Sequence, residues 1–177
     1  MDNSMHIRPI EPKDHDAILA LNEASVAVLS PLNNDQMVKL IAQSCLHAVV
    51  EIEGVVAAFL LVVGPKTAYR SINYQWFDEQ YDDFYYIDRV VVHAHYRAQK
   101  IGQTLYQYLI DQAYHNHVGL LCAEIDIAPP NEPSLHFHRK WGFKEVSTLT
   151  HSAKKSAENT TEKSAEKIVS LQVCVIN

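Results

Sequence analysis

Cysteine and glycine are both scarce in this chain of 177 residues, which contains three cysteines and five glycines. Cys45, Cys122 and Cys174 stand apart within apolar runs and form no Cys-x-x-Cys pair, so the sequence predicts reduced thiols rather than disulfides. The pattern of glycines excludes two nucleotide-binding loops. Neither a Gly-x-x-x-x-Gly-Lys-Ser/Thr spacing nor a three-glycine Rossmann fingerprint is present.

Basic residues are also fewer than acidic residues in this sequence. Lys and Arg number 15 against 21 Asp and Glu, which gives a formal net charge of -6. Because no basic surplus is available to neutralise phosphates, we expect no nucleic-acid partner. The longest apolar run, Val55–Val63, is too short to cross a bilayer, and the first residues carry no basic-then-apolar leader. These features favour a cytoplasmic protein without a membrane partner.

Hydrophobic periodicity predicts the order β, α, α, β, β, β, α, β, α, β, β, a mixed α/β (α+β) arrangement with a sheet flanked by helices. The predicted strands cover 5–10, 46–52, 55–63, 85–92, 120–127, 143–149 and 168–176. Helices are predicted to begin near 14, 34, 101 and 132, and the first is expected to run as far as Leu29. We interpret 1–177 as a single domain, with 151–167 as a polar insertion or loop because it has no large apolar residue to bury.

Between 64 and 84 the periodicity disappears, and aromatic residues are mixed with acidic ones. A segment of this length without regular structure is usually functional or mobile, so we predict a loop with a role in binding. Its aromatic residues either cover the edge of the core or form the wall of a substrate site. The candidates for a substrate site are Tyr74, Trp76, Phe77 and Tyr81.

The chain is organised around a strand that leads directly into a helix. Val90 to Val92 is a β-branched run, and from Ile101 onward apolar residues recur at helical spacing. The polar turn between them, 97–102, contains no proline that would remove a backbone N–H. Because a helix N-terminus exposes unpaired amides, this turn predicts an anion site, most simply for a phosphate group. An ordinary strand-to-helix connection is the alternative.

The turn reads Arg97-Ala98-Gln99-Lys100-Ile101-Gly102 and resembles the pyrophosphate-binding signature of the GNAT acetyltransferase superfamily, Arg/Gln-x-x-Gly-x-Gly/Ala. Lys100 stands where that family usually has its first glycine, and lysine accepts a positive φ less readily than glycine does. A second stretch, 131–143, resembles another signature of the same family, Asn-x-x-Ser-x-x-Phe-Tyr-x-x-x-Gly-Phe. The positions that match at the same spacing are Asn131, Ser134, Phe137, Gly142 and Phe143.

The resemblance implies a GNAT-like fold: a central, mostly antiparallel sheet of about seven strands with splayed middle strands, flanked by about four helices. It also implies that acetyl-CoA, or coenzyme A, binds in the cleft between the splayed strands. The backbone of 90–92 would pair with the pantetheine arm like an added strand, the turn amides would hold the pyrophosphate, and Asn131 would contact the pantetheine. The implied cofactor-binding residues are Val90, Val91, Val92, Arg97, Ala98, Gln99, Lys100, Ile101, Gly102, Gln103, Thr104, Asn131, Ser134 and Phe137.

Members of this family usually transfer the acetyl group directly to an amine, so the resemblance implies an acid and a base. The acid position carries His138 where similar proteins usually have tyrosine. An imidazolium can donate a proton near neutral pH, and the alternative is that the substitution abolishes the role. For the base we offer Asp88, two residues before Val90 and so on the same face of a regular strand. A salt bridge is the alternative for Asp88, and Glu124, Asp126 or a chain of waters are other candidates for the base.

The resulting hypothesis is an acetyl-CoA-dependent N-acetyltransferase that acts on a primary amine of a small molecule or a peptide. The alternative is a CoA-binding sensor without transfer activity, and a peptide N-terminal acetylase would need an open groove. Members of the family often dimerise, so a homodimer is a further expectation. No metal site is predicted, because the pairs His93-x-His95 and His136-x-His138 lack another Cys or carboxylate at ligand spacing.

Overall fold

The computed structural model describes residues 5–151 and 166–176. Within them the strands are β1 Met5–Arg8, β2 Leu46–Ile52, β3 Val55–Val63, β4 Tyr85–Val92, β5 Leu120–Ala128, β6 Lys144–His151 and β7 Lys167–Val175. The helices are α1 His15–Glu23, α2 Asn34–Gln43, α3 Ile72–Gln80, α4 Ile101–His115 and α5 Glu132–Lys140. The polar segment predicted at 151–167 lies almost entirely outside the described residues.

The described strands form one seven-stranded sheet in the order β1-β2-β3-β4-β5-β7-β6. Neighbouring strands are antiparallel except β4 and β5, which run parallel and pair only through Tyr85 with Leu121 and Tyr86 with Cys122. Beyond these pairs the two strands diverge and leave an opening in the middle of the sheet. The predicted mixed fold, with a mostly antiparallel sheet and splayed middle strands, is confirmed.

Strand β3 lies at the centre of the core because helices cover both faces of the sheet. Its residues from 57 to 63 are fully buried. Phe59 and Leu61 pack with residues of α1, α2 and α3 on one face, whereas Leu60 and Val62 pack with residues of α4 on the other. Neither face of this strand meets water, which explains why its sequence is one continuous apolar run.

The expected extension of the first helix to Leu29 is wrong. Helix α1 ends at Glu23, and the chain continues in turns toward α2. The side chain of Asn22 and the carbonyl group of Ser30 both accept hydrogen bonds from the buried guanidinium of Arg89 on β4. These contacts fold the segment between α1 and α2 back against β4.

The expected loop over 64–84 is also wrong, because its second half contains α3. Ser71 begins this helix by accepting a hydrogen bond from the backbone N–H of Tyr74 at 3.4 Å. Tyr74 and Phe77 lie three residues apart on the buried face of α3. The polar and acidic residues around them obscure the helical period in the sequence.

Candidate active site

A cleft of about 1480 Å³ lies where β4 and β5 separate. Its lining residues come from both strands, from the first turn of α4, from α5, and from the segments that precede α2 and α3. Large clefts with a few converging polar groups are the usual location of ligand sites. The two sequence motifs, at the start of α4 and on α5, therefore face one common cavity.

The first turn of α4 is shaped to receive an anion. Ala98 and Lys100 both adopt the left-handed conformation, each with a φ of 63°, and Lys100 immediately precedes the helix. Thr104 donates its backbone N–H to the Lys100 carbonyl at 3.0 Å, so the amides of 101–103 have no partner within the helix. Unpaired amides and the positive end of a helix dipole favour an anion, so this turn at the edge of the cleft is suited to one.

Lysine at position 100 carries a conformational cost that glycine would remove, since a residue with a Cβ in the left-handed region costs about 1–2 kcal/mol. We expect Lys100→Gly to have a free energy of unfolding about 1 kcal/mol higher than that of Lys100→Ala. Both variants lack the amino group, so comparing them isolates the backbone effect. Urea unfolding measures the difference, and equal stabilities would contradict the argument.

Most residues that the resemblance assigns to the cofactor line the cleft, including those of β4, the α4 turn and α5. Gln99 and Thr104 do not. The Gln99 amide donates to the carbonyl of His95 at 3.3 Å, and the Thr104 hydroxyl donates to the carbonyl of Lys100 at 3.2 Å. Both side chains therefore stabilise the turn itself rather than face the cavity.

Helices α4 and α5 approach each other closely beside the anion site. Asn131 begins α5 by accepting a hydrogen bond from the backbone N–H of Ser134 at 3.3 Å. A Cβ atom added at Gly102 would lie 3.7 Å from the ring of Phe137. The motif residues of α5 therefore support the first turn of α4 directly.

His138 is buried, with 5% of its surface exposed. Its Nδ1–H donates to the backbone carbonyl of Ser134 at 2.8 Å, and its Nε2 accepts from the hydroxyl of Tyr106 at 2.6 Å. Burial lowers the pKa of the imidazole, so the neutral form is favoured. In this geometry His138 links α4 to α5, and it also lines the cleft. Its lowered pKa disfavours the imidazolium form, so the expected role as an acid stays a prediction.

A substitution at His138 separates this structural role from catalysis. In His138→Phe the buried hydroxyl of Tyr106 loses its acceptor, which we expect to lower the free energy of unfolding by about 1–3 kcal/mol. Above neutral pH the kcat profile of the variant should have the same shape as that of the wild type, because no imidazolium donates the proton. Thermal unfolding and a pH profile of kcat measure the two effects. A fall in kcat at alkaline pH that the wild type shows and the variant lacks would restore His138 as the acid.

Asp88 occupies a β-bulge, which changes the face on which it lies. Leu61 of β3 pairs with Arg89 and the next residue, Val62, pairs with Ile87, so Asp88 has no opposite partner. The expectation that Asp88 shares the face of Val90 is therefore wrong, because the extra residue interrupts the alternation.

Both oxygens of the Asp88 carboxylate are engaged. The hydroxyl of Tyr69 donates to Oδ1, and Nε of Arg89 donates to Oδ2 at 3.1 Å. Burial raises the pKa of Asp88, and the charge of Arg89 together with these hydrogen bonds opposes that shift. Asp88 thus forms the salt bridge that was its alternative interpretation.

Glu124 of β5 faces the same cleft with a different environment. The hydroxyl of Tyr86 donates to its Oε2 at 2.6 Å, and no salt bridge to Glu124 occurs among residues 5–151 and 166–176. Burial, with a contribution from the nearby charge of Asp88, raises the pKa of Glu124 to about 8. Asp126 on the same strand is instead paired with Lys167 at 3.0 Å.

The four aromatic candidates for a substrate wall do not line the cleft. Tyr74 and Phe77 are buried in the core between α3 and the sheet, and Trp76 and Tyr81 pack against that core from its edge. The binding interpretation is therefore corrected to the alternative of core cover. The residues of this segment that line the cleft are Ala68, Tyr69, Arg70, Ser71, Ile72 and Asn73.

The polar contacts in and beneath the cleft carry no local signal in the sequence. Tyr86 is 38 positions from its partner Glu124, and Tyr106 is 32 positions from His138. Only the register of β4 with β5 and the packing of α4 on α5 bring these side chains together. Alternation alone would have marked Tyr86 as a core residue, which it also is.

The part of the chain that the structure describes contains neither a metal-binding cluster nor a membrane-spanning helix. No group of three or more His, Cys, Asp and Glu residues there could hold a metal ion. No helix among the same residues is long and apolar enough to cross a membrane.

A family model matches most of the chain and covers both motifs. The model is that of the acetyltransferase (GNAT) family, and it matches residues 18–143. The chain belongs to the acetyltransferase (GNAT) family. Comparison with curated proteins found no match.

Solved structures of other acetyltransferases have the same fold as this GNAT chain. Ard1 from Thermoplasma volcanium is 14% identical over 98% of each chain, with a TM-score of 0.74. The ribosomal-protein-S18-alanine N-acetyltransferase from Escherichia coli is 17% identical over 98% of this chain and 94% of its own, with a TM-score of 0.68. The yncA protein from Salmonella typhimurium, solved with its cofactor acetyl-CoA, is 18% identical over 98% of this chain and 95% of its own, with a TM-score of 0.70. At these identities the likeness shows the fold alone.

Membership of the GNAT family makes the chain an acetyl-CoA-dependent N-acetyltransferase. The residues present fit this cofactor. The unpaired amides at the start of α4 suit a pyrophosphate, and the cleft of about 1480 Å³ is large enough for an extended ligand beside β4.

Proposed function

We propose that this N-acetyltransferase transfers the acetyl group directly to a primary amine of a small molecule or a peptide, with Glu124 as the base. One observation carries the proposal. Glu124 lines the cleft, and its pKa of about 8 is close to the pH at which an amine must lose its proton. A carboxylate with an ordinary pKa would be a much weaker base.

Glu124 suits this role better than Asp88, the candidate favoured by the sequence. Tyr69 and Arg89 together occupy both oxygens of Asp88, and Arg89 pairs with it in a salt bridge, whereas the hydrogen-bond donors to Glu124 are uncharged. In this proposal Asp88 stays paired with Arg89 and takes no proton from the acceptor. Glu124 then takes the proton, and the neutral amine attacks the acetyl carbon.

The chain's own groups also account for cofactor binding. In the proposal the amides of 101–103 hold the pyrophosphate and the Arg97 guanidinium adds positive charge beside it. The edge of 90–92, which faces the opening in the sheet, pairs with the pantetheine arm. Acetyl-CoA would supply the activated acetyl group, and the second proton of the attacking nitrogen would reach the thiolate through water, since His138 and Tyr106 are hydrogen-bonded to each other.

The test combines binding with turnover. Isothermal titration of the purified protein with acetyl-CoA is expected to give saturable binding, and a panel of primary amines is expected to give acceptor-dependent release of thiol. Binding without turnover across small amines and peptides would contradict direct transfer and favour a sensor. The expected homodimer and cytoplasmic location also remain predictions, and sedimentation of the purified protein tests the first of them.

A further inference from the structure

A chain of polar contacts leads from the end of β6 to the proposed base. Asn73 on α3 is a buried amide with 7% of its surface exposed. Its Oδ1 lies 2.9 Å from Nε2 of His151, the last residue of β6. Asn73, Glu124 and His151 line the same cleft, and the side chain of Asn73 acts there as a donor that lowers the pKa of the Glu124 carboxyl group. Three residues far apart in the sequence therefore meet at one edge of the cleft.

The chemistry of these groups fixes the direction of each hydrogen bond. A carbonyl oxygen only accepts, so the Oδ1 of Asn73 requires a proton on Nε2 of His151. The amide NH₂ of Asn73 is then turned toward Glu124, where it donates to the carboxylate. If the amide rotated by half a turn, its carbonyl oxygen would face the ionised carboxylate, which offers no proton, and its NH₂ would need the other tautomer of His151 as acceptor.

We propose that His151 and Asn73 are positioning residues that orient the carboxylate of Glu124 and favour its ionised form. This inference rests on the proposed function, in which Glu124 is the base. His151 holds Asn73 in one of its two amide orientations, and Asn73 supplies a fixed donor to the carboxylate. Tyr86 supplies a second donor from the opposite strand, at 2.6 Å.

We call the chain of contacts from His151 through Asn73 to Glu124 the relay. The groups around its Glu124 end are acidic and phenolic. The titratable groups that face Glu124 are Tyr69, Tyr86, Asp88 and Tyr106. His151 faces Asp126 and Lys167, and burial and the charge of Lys167 lower its pKa, so its neutral Nε2–H form suffices to donate. Burial and, to a smaller extent, the charge of Asp88 raise the pKa of Glu124, and the donor from Asn73 opposes that shift.

The pH dependence of kcat/KM tests the inference, with an amine identified by the turnover panel. In His151→Leu the Nε2–H donor is lost, so we expect the acid limb of the profile to move to higher pH by about one unit. Activity near pH 7 should fall about tenfold, and activity above the limb should be little changed. His151→Gln retains an N–H donor and should stay close to the wild type. Asn73→Ala removes the middle of the relay and should shift the limb in the same direction as His151→Leu.

His115→Leu provides a matched control, because His115 is an exposed histidine at the end of α4, outside the cleft. Its profile should equal that of the wild type. In the Glu124→Gln background, His151→Leu should add no further loss, since the group it positions is gone. An unchanged limb in both His151→Leu and Asn73→Ala, while Glu124→Gln is impaired, would overturn the relay. Full activity of Glu124→Gln would instead show that Glu124 is not the base, which would refute the proposed chemistry.

Discussion

Replacing Glu124 with glutamine is expected to lower kcat/KM for amine acetylation by about 100-fold or more, the usual contribution of a general base. Glutamine keeps the size of the side chain and can still accept the hydrogen bond from Tyr86, so the fold should be retained. In the wild type kcat/KM should rise with pH and level off above about 8, because the Glu124 carboxyl must lose its proton before it can act. The variant should lack this rise.

The same substitution has a consequence for stability, and its sign follows from the pKa. Folding raises the pKa of Glu124 from about 4.3 in an unfolded chain to about 8. The folded state therefore favours the protonated form. The stabilisation is complete below the unfolded pKa and is lost as the pH rises through about 8. Above that pH, Glu124→Gln should be more stable than the wild type, because it buries no charge.

Asp88→Asn provides a comparison for these experiments, and titration with acetyl-CoA provides a control for binding. The affinity of Glu124→Gln for acetyl-CoA should equal that of the wild type. Should Asp88→Asn lose the pH-dependent rise while Glu124→Gln keeps it, the assignment of the base would be reversed. Rates and unfolding curves are measured between pH 6 and pH 10, about two units on each side of the pKa. The rates test which carboxylate is the base, and the unfolding curves test the effect of Glu124 on stability.

Replacing Phe77 with alanine is expected to lower the free energy of unfolding by about 3–5 kcal/mol, the usual cost of removing a buried phenylalanine ring. The side chain is completely buried. Its ring lies 5.8 Å from that of Tyr86 and 5.3 Å from that of Trp76. Because Phe77 does not line the cleft, the folded variant should keep the wild-type KM for the amine.

Ile72→Ala is the matched control for Phe77→Ala, since both residues are on α3. Ile72 is 52% exposed and lines the cleft. Its replacement should leave the free energy of unfolding within about 0.5 kcal/mol of the wild type, as for most surface changes. Denaturant unfolding and KM for the amine are measured for both variants. A raised KM for the amine in Phe77→Ala, together with wild-type stability, would instead indicate that Phe77 contacts the substrate.

Local patterns in the sequence predict the sheet well. The hairpin of β2 and β3 begins and ends at the predicted residues, because two apolar runs flank Glu53-Gly54 and both turn residues adopt a positive φ. The α4 turn is also predictable, since a β-branched strand, a polar turn and helical spacing follow one another within 88–105. Each of these two signals is contained within one short stretch of the chain.

The chemistry of the cleft depends on contacts that no local pattern contains. The bulge at Asp88 arises from the pairing of β4 with β3, and it changes the face on which the carboxylate lies. The pKa of Glu124 depends on its burial and on Asp88, which is on another strand. The residue type of His138 suggests an acid, yet its burial makes the neutral ring the favoured form. Residue types therefore indicate which side chains could act as acid or base, whereas tertiary packing determines what each of them does.

In the proposed binding mode the cofactor fills the gap where β4 and β5 diverge, so it completes the sheet as well as supplying the acetyl group. After only two residue pairs the facing edges no longer bond to each other, and open strand edges favour association with other chains. A ligand that binds this gap stabilises the folded state by mass action, by about 2.7 kcal/mol at 100 times its dissociation constant. Saturation with acetyl-CoA should therefore raise the stability of the fold as well as sustain the reaction.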